Sequence, residues 1–313
     1  MTDNCALALK IDVDTLKGYR EGLPRLLDML KRRGIRASIF FSMGPDNSGK
    51  AVRRIFRRGF VSKMLRTRAP STYGLKTLLY GTLLPAPMIV ESDPGLLRRA
   101  MDEGHDCGVH AWDHVFWQDR LPSLSREAVR GQFARSMELF ERVSGTAPAC
   151  CAAPGWQTTP DALAVQDELG FAYCSDVRGT GPSLPRVFLP RMGGTTFRTP
   201  QIPSTLPTLD ELWGTDGLDA DTVNDRYLDL LEPGVNVHTI HTEMEGGAMS
   251  GVFEALLDAC LEGEMAFMTL REVLAGAAAT ADGGAAPLPV SEVVMREIPG
   301  RAGTLAVQQA AEG

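Results

Sequence analysis

The chain reads as an α/β protein folded as one barrel of parallel strands. Three observations predict this. Apolar segments of strand length alternate with amphipathic segments of helix length along most of the 313 residues. The opening run is strand, helix, strand, which calls for a right-handed crossover and hence a parallel sheet. The residues with metal or proton chemistry fall at the ends of apolar segments, where α/β barrels gather their active groups. Six or seven strand–helix units favour a closed barrel over an open sheet, although periodicity alone does not close it.

The segment ALALKIDVD reads as a buried strand ending in acids. Asp12 and Asp14 are two apart and so share a face of that strand. Two such carboxylates are costly unless paired, hydrated or bound to a cation. EGLPRLLDMLKRRG has helical periodicity and a glycine stop, and IRASIFFS is the second strand. After SMGPDN the alternation breaks. Nine basic residues occupy positions 50–76, and no acid lies between Asp46 and Glu91. Removing this +9 block from the net charge of −7 leaves −16 for the remainder. Apolar side chains, Phe56 and Phe60 among them, are interleaved with Arg53, Arg54, Arg57 and Arg58. TLLYGTLLPAPMIV then follows, uncharged but broken by prolines and too short to span a bilayer. This basic, amphipathic insertion, residues 46–91, is expected to lie on an anionic membrane surface. A solvated basic helix is the plainer alternative. Nucleic acid is disfavoured, because no binding motif is present and the rest of the chain is acidic.

The alternation resumes with DPGLLRRAMDEG, a helix capped by Asp93 with proline in its first turn. DCGVHAW is a strand, and SREAVRGQFARSMELFERVSG a long helix capped by Ser125. ACCAAPGW is strand then loop, TPDALAVQDELG a helix, and FAYCSD a strand ending at Asp176, with Arg178 just beyond. Residues 179–207 hold loops and short strands around FLPRMGG and TPQIPST. DADTVNDRYLDLLEPG is a helix, VNVHTIHTE a strand, GVFEALLDACLEG a helix, and EMAFMTLREVL the closing strand and cap. Residues 1–275 therefore form the barrel with its insertion. Residues 276–313 form a tail whose apolar patches either pack on it or stay free.

HAWDH carries the most specific chemistry. His110 and His114 sit four apart, on one helical turn or across a strand-to-helix corner, and both can point at one ion. One carboxylate with two histidines leaves coordination positions open for water and a substrate oxygen, the pattern of a catalytic site. A divalent ion held there would polarise a carbonyl and acidify water. With Asp14 as the third ligand, Asp12 is free beside it as general base, and His241 can reach in from a later strand as general acid. His238 and His241 are three apart and take opposite faces of their strand, and His241 lies nearer its C-terminal end. His238 and His105 read as packing or surface residues. The six cysteines form no C-x-x-C pair and read as reduced thiols of a cytosolic protein. The N-terminus, MTDNCALALKID, does not read as a signal peptide.

Asp-x-Asp on the first strand, H-x-x-x-H after the third and a late apolar-flanked histidine resemble the polysaccharide deacetylase, or NodB-homology, family. KIDVDT, REGLPRLL, ASIFFSMGPDN, KMLR, LLYGT, HAWDH, AAPGW, SDVRG, PQIPSTLPT and TIHTEMEG are similar to one branch of it, over residues 6–274. The resemblance implies a distorted (β/α)7 barrel and one divalent metal ion, with zinc, manganese, cobalt and nickel not distinguished. It implies Asp14, His110 and His114 as ligands, Asp12 as base and His241 as acid. It also implies a substrate: an undecaprenyl-phosphate-linked formamido sugar of lipid A modification, from which formate is removed at the cytoplasmic face of the bacterial inner membrane. Deacetylation of another acylated sugar and a non-catalytic membrane-docking module are the rival readings. One departure matters. The wider family has R-x-P-aromatic after the fourth strand, and here AAPGW supplies Ala152 and Ala153 with no arginine. What orients Asp12 is therefore open. Asp176 and Arg178 are candidates to do so, or to contact substrate.

Overall fold

The computed structural model describes residues 5–51, 76–179, 181, 183–278 and 287–310. Its centre is β1 (Cys5–Val13), a nine-residue strand buried from Leu7 onward. Successive side chains on a strand point to opposite faces, and β1 divides accordingly. Leu7, Leu9, Ile11 and Val13 join the large apolar cluster that the surrounding helices cover. Ala8 joins a second cluster inside the sheet's curve, with Phe40, Cys150, Ala152, Tyr173 and Val237.

On one side of β1 stand β2 (Ser38–Phe41), β3 (Asp106–Val109), β4 (Cys150–Cys151) and β5 (Tyr173–Cys174), all parallel. Two short strands, β6 (Leu189–Met192) and β7 (Thr195–Thr196), then leave this sheet. On the other side of β1 lies β8 (Gly234–His241), also parallel, with Asp12 opposite His241 in the register. The order is β5-β4-β3-β2-β1-β8, and β9 (Ala266–Met268) pairs with β1 at Ala6 to Ala8. Between β5 and β8 runs the extended stretch 200–206. Ile202 N donates to the Cys174 carbonyl at 2.9 Å and Thr205 N to the Val237 carbonyl at 3.0 Å. Isolated bridges thus do there what a full strand would do in a regular barrel. This is the distorted α/β barrel that the sequence predicted.

Several helices begin at side-chain caps. α1 (Leu23–Arg32) buries Leu23, Leu26, Leu27 and Leu30 on one face. The Asp93 carboxylate accepts from Gly95 N to start α2 (Pro94–Asp102). A short α3 (His114–Arg120) follows β3. Ser125 caps α4 (Arg126–Ser144), which Gly145 ends at φ 80°. Thr159 caps α5 (Pro160–Leu169). Later come α6 (Leu209–Leu212), α7 (Val223–Asp229), α8 (Ser250–Glu262) and α9 (Leu270–Ala278).

The tail does pack. Its β10 (Val290–Glu297) and β11 (Thr304–Ala310) form an antiparallel hairpin, and β10 joins β6 to make a second sheet, β11-β10-β6-β7. Leu305 and Val307 of the hairpin bury Trp156 of the barrel. The core of the expected insertion, with Arg53, Arg54, Phe56, Arg57, Arg58 and Phe60, lies outside the described residues. Its described flank exposes Leu83 and Leu84. Among the described residues no helix is long and apolar enough to cross a membrane. All six cysteines are free thiols.

Candidate metal centre

The site sits where β1, β3 and β8 end. β3 delivers His110, and Ala111 at φ 68° turns the chain out of the sheet. Asp113 then starts α3 by accepting from Phe116 N at 2.9 Å. His114 is the first residue of that helix, so the histidine pair spans a strand-to-helix corner. The GPDN segment after β2 ties both loops down. Asp46 accepts from Leu16 N, just past Asp14, at 2.9 Å, and Asn47 donates to Asp113 at 2.6 Å.

His110 Nε2 lies 3.3 Å from Asp14 Oδ1, and His114 Nε2 lies 3.3 Å from Asp14 Oδ2. The three ligand atoms fall within 4.8 Å of one another. His110 Nδ1 is 2.8 Å from the Ala152 carbonyl. A carbonyl only accepts, so Nδ1 carries a proton and Nε2 is the ring atom turned to Asp14. At this distance the Nε2 and carboxylate lone pairs need a cation between them, a proton or a metal ion. Donors bound at 2.0–2.2 Å to one ion are themselves roughly 3.0–3.4 Å apart, so the residues fit a divalent metal. Burial pushes the Asp14 carboxyl up, but His114, the His110 contact and His241 pull it below the usual carboxylate range. It is an anion ready to bind.

Asp12 is 3% exposed, and its Oδ1 is buried with no hydrogen-bond partner among the described residues. Its Oδ2 receives the Lys10 ammonium at 2.5 Å. His241 faces Asp12 across the β1–β8 pair, donates its backbone N–H to Glu245, and buries an Nδ1 with no hydrogen-bond partner among the described residues. His238, on the other face of β8, packs on Tyr227 with ring centroids 4.5 Å apart, and burial drops it to about 3. His105 accepts from Ala37 N at the opposite end of the barrel.

The two open candidates for orienting Asp12 sit otherwise. Arg178 is 5% exposed, pairs with Glu211 at 2.7 Å, reaches the Leu206 carbonyl and stacks on Trp156. Its charge is used there, and Asp12 takes its cation from Lys10. Asp176 is fully buried and accepts from Gln166 at 2.6 Å and Gln201 at 3.3 Å. It is therefore held by the two glutamine side chains in the interior. With Cys151 and Cys174 it forms a second set of metal-type atoms. That set is sealed at 0–1% exposure, and burial raises both thiols, so it is a polar knot of the interior.

Sequence reasoning missed four groups. They are Lys10, Asp113, Glu243 and Glu245, none of which the sequence pattern singles out. Glu243 and Glu245 follow His241 and are fully buried. Glu243 accepts from Thr15 N at 2.8 Å and Thr15 Oγ1 at 2.6 Å, bracing the loop after Asp14. The TIHTEMEG run, with two acids directly after a buried strand, was the available signal.

A barrel of this topology with an Asp–His–His cluster at its strand ends defines a class of hydrolase, and the comparisons agree. Residues 11–174 match the polysaccharide deacetylase family model. The chain belongs to the polysaccharide deacetylase family and is an amidohydrolase acting on N-acyl groups. It is 38% identical over 303 residues, 96% of its length and 94% of the relative's, to a Shewanella sediminis (strain HAW-EB3) protein named "Probable 4-deoxy-4-formamido-L-arabinose-phosphoundecaprenol deformylase ArnD". A Wigglesworthia glossinidia brevipalpis protein of the same name is 29% identical, over 93% of this chain and 98% of its own. Among solved structures, the Bc1960 peptidoglycan N-acetylglucosamine deacetylase aligns with a TM-score of 0.52 at 17% identity, covering 86% of this chain and 88% of its own. A CE4 family pseudoenzyme from Bacillus anthracis aligns at 0.51 with 12% identity, covering 93% and 70%. At these identities the structural matches speak to the fold alone.

Proposed function

We propose that this chain is a metal-dependent deformylase acting on 4-deoxy-4-formamido-L-arabinose linked to undecaprenyl phosphate. The observation that carries the chemistry is the meeting of Asp14, His110 and His114 with Asp12 and His241 at the ends of β1, β3 and β8 of one sheet. The substrate rests on the names of the two relatives. A divalent ion held by Asp14, His110 and His114 would supply a Lewis acid that polarises the formyl carbonyl and acidifies water. Asp12 takes a proton from the attacking water. His241, across the strand pair, gives a proton to the departing sugar nitrogen. Water adds to the formyl carbon, the C–N bond breaks, and formate and a free amine result. The lipid tail stays in an anionic membrane leaflet on which the basic insertion rests, which makes the protein a peripheral one. The product amine belongs to the lipid A modification that confers polymyxin resistance.

A two-substrate comparison tests this. The full chain is given the formamido lipid and the same lipid carrying an N-acetyl group. One added methyl in a fitted pocket discriminates by roughly 10- to 200-fold, and kcat/KM should favour the formyl compound by that order. Equal or better kcat/KM on the acetyl compound would make the protein a deacetylase of another N-acyl sugar.

A further inference from the structure

Lys10 is 0% exposed, on the inner face of β1, with Ser38 and Thr239 as its register partners on β2 and β8. An isolated ammonium there would be strongly disfavoured, so its pairing is obligatory. It precedes Asp12 by two residues and shares its face of β1. Its Nζ meets Asp12 Oδ2 at 2.5 Å, with side-chain exposures of 0% and 4%. The rings of Trp156 and Phe40 flank the ammonium, with centroids 5.3 and 5.8 Å away. Phe40 is the β2 register partner of Asp12, so the aromatic wall and the carboxylate are fixed by the same strand pair. The result is asymmetric. The Lys10 ammonium holds Asp12 Oδ2, the oxygen that lies 3.9 Å from His110 Nε2, and Oδ1 has no hydrogen-bond partner among the described residues.

We propose that Lys10 is the positioning residue of the catalytic carboxylate. From β1 it supplies the cation that AAPGW lacks after β4, and it fixes the direction of the Asp12 carboxylate beside His110. Ala152 keeps a different task, since its carbonyl fixes the His110 ring. This inference rests on Asp12 being the base, and the test separates the two.

Lys10→Met, Lys10→Gln, Lys10→Arg and Asp12→Asn are compared for kcat, KM, bound metal and melting temperature, together with a crystal structure of Lys10→Gln. Lys10→Met should keep its metal and its KM and lose ~10²-fold in kcat, the scale of a misplaced reacting group. Lys10→Arg should recover much of that loss. Lys10→Gln keeps a donor without the charge. It should fall between them, with the Asp12 carboxylate turned from its wild-type direction, and it serves as the reading if Lys10→Met does not fold. In an Asp12→Asn background, Lys10→Met should cost nothing further. Wild-type kcat per bound metal in Lys10→Met or Lys10→Gln, alongside an inactive Asp12→Asn, would overturn the role of Lys10 alone. So would a loss confined to melting temperature. An active Asp12→Asn would instead remove the base assignment on which the inference stands.

Discussion

His110 is gripped from behind by a backbone carbonyl, whereas His241 leaves its Nδ1 buried with no hydrogen-bond partner among the described residues. That contrast fits a ligand that must stay fixed and an acid that must exchange a proton. His241→Ala should keep the metal and lose ~10²–10⁴-fold in kcat, the usual contribution of a general acid. Steady-state kinetics with metal analysis checks both halves, and near-full kcat would remove the assignment. Glu245 gives a separate test. Burial pushes it up to about 8 from an ordinary 4.5. Between those values the unfolded chain has released this proton while the folded chain keeps it, so stability falls as pH rises through that window. Glu245→Gln should therefore gain melting temperature relative to wild type from about pH 5 to about pH 8. A pH-independent difference would contradict the buried neutral acid. Asp12, Asp14, His110 and His114 were legible as candidates because spacings of two and four carry direction in a strand and around a corner. Lys10 was not legible. Alternation puts it on the same face as Asp12, but nothing in the sequence says that this face admits a cation.

The strands of the main sheet and the caps of α2 and α4 were readable at the level of elements, since apolar period and capping residues are local properties. The closure by residues 200–206 was not, because its bridges depend on partners far along the chain. The hairpin of the tail escaped for a similar reason: β10 takes its parallel partner about a hundred residues earlier, at β6. The approach of the chain at 18–22 to the loop after β8 is another long-range feature. Gly22 has helical φ −78° and ψ −49°, where alanine would ordinarily gain about 1 kcal/mol. A Cβ there would lie 2.0 Å from the Thr242 carbonyl oxygen, next to His241. Gly22→Ala should therefore destabilise by about 1–3 kcal/mol, the scale of an overpacked core. Denaturant melts report the sign, and a gain in stability would show that the two segments are not in contact.

Charge is the property of the whole molecule that composition alone exposes: a +9 block set in a remainder of −16. Each basic side chain near an anionic leaflet contributes ~1 kcal/mol, screened by salt. About half of them facing the membrane would give several kcal/mol, enough for peripheral binding. Reversing Arg53, Arg54, Arg57 and Arg58 to Glu should release the protein from anionic vesicles in flotation. Turnover of a short-chain, water-soluble analogue should persist. Flotation equal to wild type would make the block a solvated surface. The proposed membrane contact would bring substrate to the barrel mouth, and the proposed chemistry converges on Asp14, His110 and His114. Bound metal per chain, measured by elemental mass spectrometry on wild type and on His114→Ala, addresses that convergence. Wild type should carry one divalent ion per chain, and His114→Ala should lose it together with deformylation. An unchanged metal content in His114→Ala, with turnover retained, would contradict the centre built here.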